Sequence, residues 1–180
     1  GNYDFIYAGV APQKYEKLYL KCLLEDITGL SEYIEAGKAM LAVEQSFLFL
    51  GTSLEKDGKK QSLVGALPLE IKEMKEYTIG NILLDTTLQQ GEGIKLQSKI
   101  NGFFNSKYTF AGDGNSQHFG NVLLGQGYLW ERGFEGIVYK NFIGTQLRGP
   151  LLPRNYDVCD YLIETMVGQK LPNISSNLEQ

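Results

Sequence analysis

The sequence is poor in the residues that build metal sites, disulfide frameworks and nucleic-acid surfaces. Its 180 residues include one histidine, His118, and two cysteines, Cys22 and Cys159. The cysteines lie far apart and outside any C-x-x-C arrangement, so we predict neither a disulfide nor a metal site. Acidic residues outnumber basic ones by 21 to 17 and no basic run occurs, which argues against a nucleic-acid partner.

Long hydrophobic runs are also missing. No apolar stretch approaches the ~20 residues that a bilayer requires, and the N-terminus does not have the layout of a signal peptide. We therefore expect a cytoplasmic protein with no membrane span and no cofactor. A hydrophobic content of 43% is enough for one domain with a full core. Residues 1–168 are assigned to this domain and residues 169–180 to a polar tail.

The first quarter of the chain alternates strand and helix patterns. Tyr3–Gly9 is rich in aromatic and β-branched residues and predicts a strand that is buried on both faces. Apolar residues at helical spacing predict helices over Lys14–Asp26 and Leu30–Ala36, and Met40–Val43 reads as the next strand. This β-α-β order favours a parallel sheet with right-handed crossovers.

The remainder of the chain has a different character. A charged turn at Glu55–Lys60 predicts a hairpin tip, and polar alternation over residues 71–85 and 94–101 predicts antiparallel strands. Repeated glycines between residues 102 and 133 predict loops, with His118 solvated among them. Glu135–Tyr139 and Phe142–Gln146 are then predicted to form a tight strand pair, and Asp157–Val167 the closing helix. The two cysteines are predicted to be small apolar residues on helix faces.

One carboxylate stands at a position of special interest. The stretch LAVEQSFLFLG, Leu41 to Gly51, reads as a buried strand, a sharp turn at Glu44 and a short apolar helix. Proteins use this layout to present a nucleophile, because the turn lifts one side chain beside a helix N-terminus. The same pattern is also typical of a capped helix with a solvated acid.

Several motifs resemble those of the class I glutamine amidotransferases. LAVEQSFLFLG resembles the nucleophile region of their cobyric-acid-synthase-like branch, where the pattern is roughly L-A-I-C-G-G-Y-Q-L-L-G. GTQLRGPLLP, Gly144 to Pro153, resembles G-T-Y-L-H-G-P-L-L-P, and GFFNS, Gly102 to Ser106, stands at the place of G-F-E-N-H. The branch contains the glutaminase subunit of lipid II isoglutaminyl synthase. The resemblance implies an α/β, flavodoxin-like fold with a mostly parallel sheet, helices on both faces and added antiparallel strands.

The resemblance also implies that the catalytic positions are replaced. The cysteine nucleophile position holds Glu44, the glycines after it are Gln45 and Ser46, and the histidine base position holds Arg148. A carboxylate is a poor nucleophile toward an amide, and a guanidinium stays protonated at any useful pH. Glutamine hydrolysis by the family mechanism is therefore not expected. Glu44 and Arg148 are predicted either to form an ion pair or to have drifted apart.

Three functions remain open. The chain is a pseudo-glutaminase that serves a Mur-ligase-like synthetase acting on cell-wall precursors, or an enzyme of altered chemistry that uses Glu44 as a base and Arg148 as an anion clamp, or a module that binds a glutamine-like small ligand. A closed ion pair would favour the first, and a free pocket the other two. The positions expected to bind such a ligand are Gly9, Gln45, Ser46 and Asn105.

Overall fold

The computed structural model describes residues 3–10, 13–91, 93–112, 114, 116–125 and 133–172. A 3-10 turn at Gln13–Tyr15 precedes the first helix. The helices within these ranges are α1 (Glu16–Glu25), α2 (Ile27–Glu35), α3 (Gln45–Phe49), α4 (Leu151–Arg154) and α5 (Tyr156–Val167). The strands are β1 (Phe5–Ala8), β2 (Ala39–Val43), β3 (Ser53–Lys56), β4 (Lys59–Ser62), β5 (Leu69–Gln90), β6 (Ile94–Gly112), β7 (Gln117–Leu124), β8 (Phe134–Tyr139), β9 (Phe142–Thr145) and β10 (Leu147–Arg148).

The described strands form one mixed sheet with a parallel and an antiparallel part. Its main path runs β1-β2-β9-β8-β7-β5-β3-β4, and β6 joins it by pairing with both β5 and β10. The neighbours β1, β2 and β9 are parallel, as the β-α-β order predicts. The antiparallel addition is larger than the sequence indicated, because β5 and β6 form a long ladder that extends far beyond the parallel strands.

Hydrophobic cores lie on both faces of the sheet. Along β2 the side chains alternate, so that Met40 and Ala42 enter one core and Leu41 and Val43 enter the other. Residues of α2 and α3 fill the first core, and residues of α4 and α5 fill the second. The predicted α/β class with helices on both faces is therefore confirmed. No described helix has both the length and the apolar character that crossing a bilayer requires.

The N-terminal strand is less buried than its composition predicts. β1 pairs only with β2 and forms an edge of the described sheet, so no residue of β1 is fully buried. Tyr7 on this strand is exposed. Cys22 on α1 is exposed as well, where a small apolar residue among apolar neighbours was predicted. Composition identified the strand but not its position at the edge, because that position depends on which other strands pair with it.

The glycine-rich segment is the clearest error of the sequence-based prediction. β6 continues to Gly112 and β7 follows it, where loops were predicted. Two of these glycines lie inside strands. At both positions neighbouring side chains occupy the space that a Cβ would need, so only glycine fits there. A Cβ on Gly102 would stand 2.8 Å from Leu147, and one on Gly120 would stand 2.6 Å from the hydroxyl of Thr86. Glycine marks close packing within strands at these positions, and not a turn.

The predicted hairpin, the predicted strand pair and the closing helix are confirmed. β3 and β4 form the predicted hairpin, with Asp57 and Gly58 at positive φ in its turn. β8 and β9 form the tight antiparallel pair, with Lys140 at positive φ between them. The closing helix ends at Gly168, whose left-handed conformation suits a C-terminal cap. The proposed tail falls largely on residues 173–180, which lie outside the described part of the chain.

The short helix α3 is fixed by an unusually close contact with β9. The ring of Phe47 is fully buried and packs edge-to-face on Phe110, with 5.0 Å between the ring centroids. It also lies over Gly144, where an added Cβ would stand 2.2 Å from a carbon of the Phe47 ring. The absence of a side chain at residue 144 therefore allows α3 to sit against the sheet.

We predict that Gly144→Ala destabilises the protein by about 1–3 kcal/mol, because the new methyl group forces the Phe47 ring out of its place. Urea unfolding followed by circular dichroism measures this change. Gly80→Ala is the matched control, since a Cβ on Gly80 of β5 meets nothing within 4 Å. Equal stability of the two variants would contradict the role assigned to the Phe47 contact.

Candidate functional site

The turn between β2 and α3 holds a non-glycine residue in a conformation that L-amino acids rarely adopt. Glu44 has φ 51° and ψ −123°. Its N–H donates to the carbonyl of Thr145 at 2.8 Å, and its own carbonyl accepts from the N–H of Leu48 at 3.2 Å. The turn is thus fixed to β9 on one side and to α3 on the other. This is the strained strand-to-helix turn by which a nucleophile is presented.

The side chain of Arg148 contacts the carboxylate of Glu44 at this turn. Arg148 ends β10, which pairs with Phe103 and Phe104 of β6. Its Nε stands 2.9 Å from Oε2 of Glu44, and the side chains of Glu44 and Arg148 are 14% and 44% exposed. Glu44 and Arg148 therefore form an ion pair, which is one of the two arrangements that the sequence allowed. Burial raises the pKa of Glu44, although the charge and the hydrogen bond of Arg148 act to lower it.

A buried carboxylate holds the segment that carries Arg148. The side chain of Glu135 accepts hydrogen bonds from the Thr145 hydroxyl at 2.6 Å and from the Gln146 N–H at 2.8 Å. The N–H of Leu147 in turn donates to the Thr145 hydroxyl oxygen at 3.1 Å. Burial raises the pKa of Glu135 to about 7, and the hydrogen bonds offset this only in part. Glu135 therefore positions Arg148 through the backbone between β9 and β10.

Two of the predicted ligand-binding residues bind each other. The hydroxyl of Ser46 donates to the carbonyl of Gly9 in the loop after β1, and Ser46 is fully buried. Neither residue lines the cleft beside Glu44, whereas Val10, the neighbour of Gly9, does. The structure thus assigns Ser46 and Gly9 a contact that joins the start of α3 to the N-terminal loop.

A cleft of about 280 Å³ opens beside the ion pair. Four of the predicted site residues line it, namely Glu44, Gln45, Asn105 and Arg148. The sequence reasoning missed the other polar and aromatic lining residues, which come mainly from β3, β5 and β6: Lys56, Tyr77, Ser106, Lys107, Tyr108 and Gln146. Their charges and aromatic rings give no local signal, because only the pairing of distant strands brings them to the cleft.

The remaining chemically active side chains lie elsewhere. Cys159 on α5 is half-buried, and burial raises the pKa of its thiol. His118 lies on β7, with its ring stacked on Phe134 at 4.0 Å between centroids, which corrects its assignment to a solvated loop. Within the described ranges no three potential metal ligands of the histidine, cysteine and carboxylate types come together.

We predict that stability falls as the pH rises from about 5 to about 8, because of Glu135. Its pKa of about 7 lies above the ordinary value of 4.5, so the folded protein keeps a proton that the unfolded chain releases. The stabilisation is complete below the unfolded-state pKa and is lost as the pH rises through 7, by ~3 kcal/mol in total. Urea unfolding at several pH values measures this slope.

Glu135→Gln mimics the protonated acid and is expected to flatten the dependence on pH. Glu32→Gln, at an exposed position on α2, is the control and is expected to keep it. A Glu135→Gln protein with an unchanged slope would show that another group is responsible.

We also predict that Glu44→Gly is more stable than Glu44→Ala by about 1–2 kcal/mol. Both substitutions remove the same carboxylate, but only glycine adopts the backbone conformation of residue 44 without strain. Thermal unfolding of the two variants side by side tests this. Equal melting temperatures would mean that the turn is not strained.

Comparison with known proteins reveals relatives by sequence and by fold. None of the models of known protein families matches the chain. It is 30% identical over 172 residues to subunit GatD of the glutamine-hydrolyzing lipid II isoglutaminyl synthase of Staphylococcus aureus strain N315, an alignment that covers 93% of this chain and 65% of that protein. It is 25% identical over 172 residues to the GatD subunit of Streptococcus pneumoniae strain R6, which covers 94% of this chain and 63% of the relative. The chain thus spans slightly less than two thirds of the length of these relatives.

Solved structures extend the likeness to more distant proteins. A glutamine amidotransferase superimposes with a TM-score of 0.62 at 13% identity, over 91% of this chain and 79% of that protein. The PurLQS structure from Thermotoga maritima gives a TM-score of 0.58 at 9% identity, over 92% of this chain and 79% of that one. At such low identities these likenesses concern the fold alone. The chain is thus homologous to the GatD subunits of lipid II isoglutaminyl synthase and has the fold of the glutamine amidotransferases.

Proposed function

We propose that the chain is the glutamine-amidotransferase-like subunit of an enzyme that amidates lipid II, and that it serves a Mur-ligase-like synthetase as a partner or regulatory subunit without hydrolysing glutamine. The homology to GatD supports the first part of this proposal. The closed pair between Glu44 and Arg148 carries the second part. The synthesis of a cell-wall precursor would place the protein in the cytoplasm.

The chemistry of the pair supports inactivity. Hydrolysis by the family mechanism needs a thiolate that attacks the amide carbon and an imidazole that passes a proton to the departing ammonia. The carboxylate of Glu44 is a weak nucleophile, and its contact with Arg148 at 2.9 Å withdraws electron density from it further. The guanidinium of Arg148 holds its proton at any useful pH and cannot serve as the base.

An enzyme of altered chemistry is the second candidate, because burial raises the pKa of Glu44 and a raised pKa makes a carboxylate a stronger base. Arg148 opposes this role, since its charge stabilises the ionised, weakly basic form of the carboxylate. A catalytic Glu44 would also need to release Arg148 before it could accept a proton. We therefore favour the subunit without glutaminase activity.

We predict that the purified protein releases no ammonia from glutamine above background, alone or with a Mur-ligase-like synthetase. Enzyme-coupled ammonia detection measures this, and the protein should still elute with the synthetase in size-exclusion chromatography. Glu44→Cys combined with Arg148→His tests whether the rest of the site supports hydrolysis, with Arg148→His alone as the control. Ammonia release by the unaltered protein that Glu44→Gln abolishes would overturn the proposal.

A further inference from the structure

A cavity of about 430 Å³ lies apart from the cleft beside Glu44. Its walls come from the end of β6, the start of β7 and the start of β8, and the two share no lining residue in the described part of the chain. Gly112 and Gly114 in its wall are exposed, whereas Glu135 and Ile137 are buried. The cavity therefore opens to solvent beside the two glycines and ends at the buried side of β8.

Aromatic and apolar side chains form much of the wall. The ring of His118 is stacked on the ring of Phe134, with 4.0 Å between their centroids and 6° between their planes. Phe110 and Ile137 are 4% and 3% exposed and belong to the same hydrophobic core as Phe47. Such surfaces favour an apolar ligand that carries a flat ring of its own.

The carboxylate of Glu135 also lines this cavity. Three neutral donors bind it, namely the hydroxyl of Thr145 and the N–H groups of Gln146 and Gly136. An ionised carboxylate has about four lone-pair sites for hydrogen bonds. Glu135 therefore keeps acceptor capacity for one further donor, and the cavity is the space from which that donor can come.

Glu135 lacks a counter-charge among the residues that the structure describes. None of their lysine or arginine side chains lines the cavity, and none of their charges acts on the pKa of Glu135. Buried charges in proteins are generally paired with a charge of opposite sign. The donors to Glu135 are neutral, so the effect of burial prevails and its pKa rises to about 7. A cation in the cavity would supply the missing charge.

We propose that this cavity binds a small aromatic amine, whose ammonium group donates to the carboxylate of Glu135 and whose ring contacts the stacked rings of His118 and Phe134. A volume of about 430 Å³ lies within the range of small-molecule pockets. The site is separate from the cleft and does not depend on the proposed lack of glutaminase activity. Ammonia release from glutamine would thus leave this proposal untouched.

Isothermal titration with phenethylamine and with phenethyl alcohol tests the proposal. The two probes share the ring and the chain and differ in an ammonium group against a hydroxyl. At pH 8 most Glu135 side chains are ionised, because the pKa is about 7. We expect the amine to bind saturably and about 10-fold more tightly than the alcohol. Equal affinity for both probes, or no saturable binding of the amine at millimolar concentrations, would overturn the proposal.

Glu135→Gln removes the charge and keeps the size of the side chain. It is expected to lower the affinity for the amine to that for the alcohol, while binding of the alcohol stays the same. Glu32→Gln, at an exposed position on α2, makes the same change in net charge and is expected to keep the preference for the amine. A Glu135→Gln protein that is folded by circular dichroism and keeps the preference would contradict the role of this carboxylate.

A second variant locates the site without changing any charge. Ala111 of β6 lines the cavity and is half-buried, so Ala111→Leu fills part of the space. We expect it to weaken the binding of both probes about 10-fold or more, through loss of room for the ring. Ala36→Leu, at an exposed position after α2, is the matched control and is expected to bind both probes normally. Unchanged binding to Ala111→Leu would mean that the probes bind elsewhere, and would overturn the proposal.

Discussion

The backbone turn at Glu44 is the constraint on which the rest of the site depends. A residue at φ 51° and ψ −123° stays there only if its surroundings hold it, and three contacts do so. The N–H of Glu44 is bound to Thr145 of β9, the hydroxyl of Ser46 is bound to the carbonyl of Gly9, and the ring of Phe47 is pressed against β9. The conformation suited to a nucleophile therefore persists around a residue whose chemistry is different. The turn is maintained by packing and hydrogen bonding, and not by the reaction.

The opposite half of the site depends on one buried acid. Glu135 binds the hydroxyl of Thr145 and the backbone N–H of Gln146, and these bonds fix the direction in which β10 carries Arg148. The same short segment thus serves two purposes: the carbonyl of Thr145 holds the turn at Glu44, and Gln146 lines the cleft. A change in the charge of Glu135 would therefore affect both Thr145 and Gln146.

Local signals in the sequence predicted the strand-turn-helix at Glu44, the β8–β9 pair and the closing helix, because each is specified by neighbouring residues. The family resemblance led to Glu44 and Arg148, which lie in distant parts of the chain, but it left open whether the two side chains are in contact. The salt bridges of Glu73 with Lys107 and Lys56 could not be predicted, since they depend on how β5 and β6 align and on the bulge between Glu73 and Thr78. The glycines at 102 and 120 misled the prediction, because nothing local distinguishes a glycine that makes room for a neighbour from one that makes a turn.

The unequal exposure of the two partners in the ion pair has a consequence for molecular evolution. If Arg148 is replaced first, the carboxylate of Glu44 remains, 14% exposed and without its counter-charge, which is a costly intermediate. If Glu44 is replaced first, the guanidinium that remains is 44% exposed and water can solvate it. Stepwise loss of the ion pair is therefore easier when Glu44 changes before Arg148 than in the reverse order. The first order leaves a guanidinium that water can reach, and the second leaves a nearly buried carboxylate without a partner.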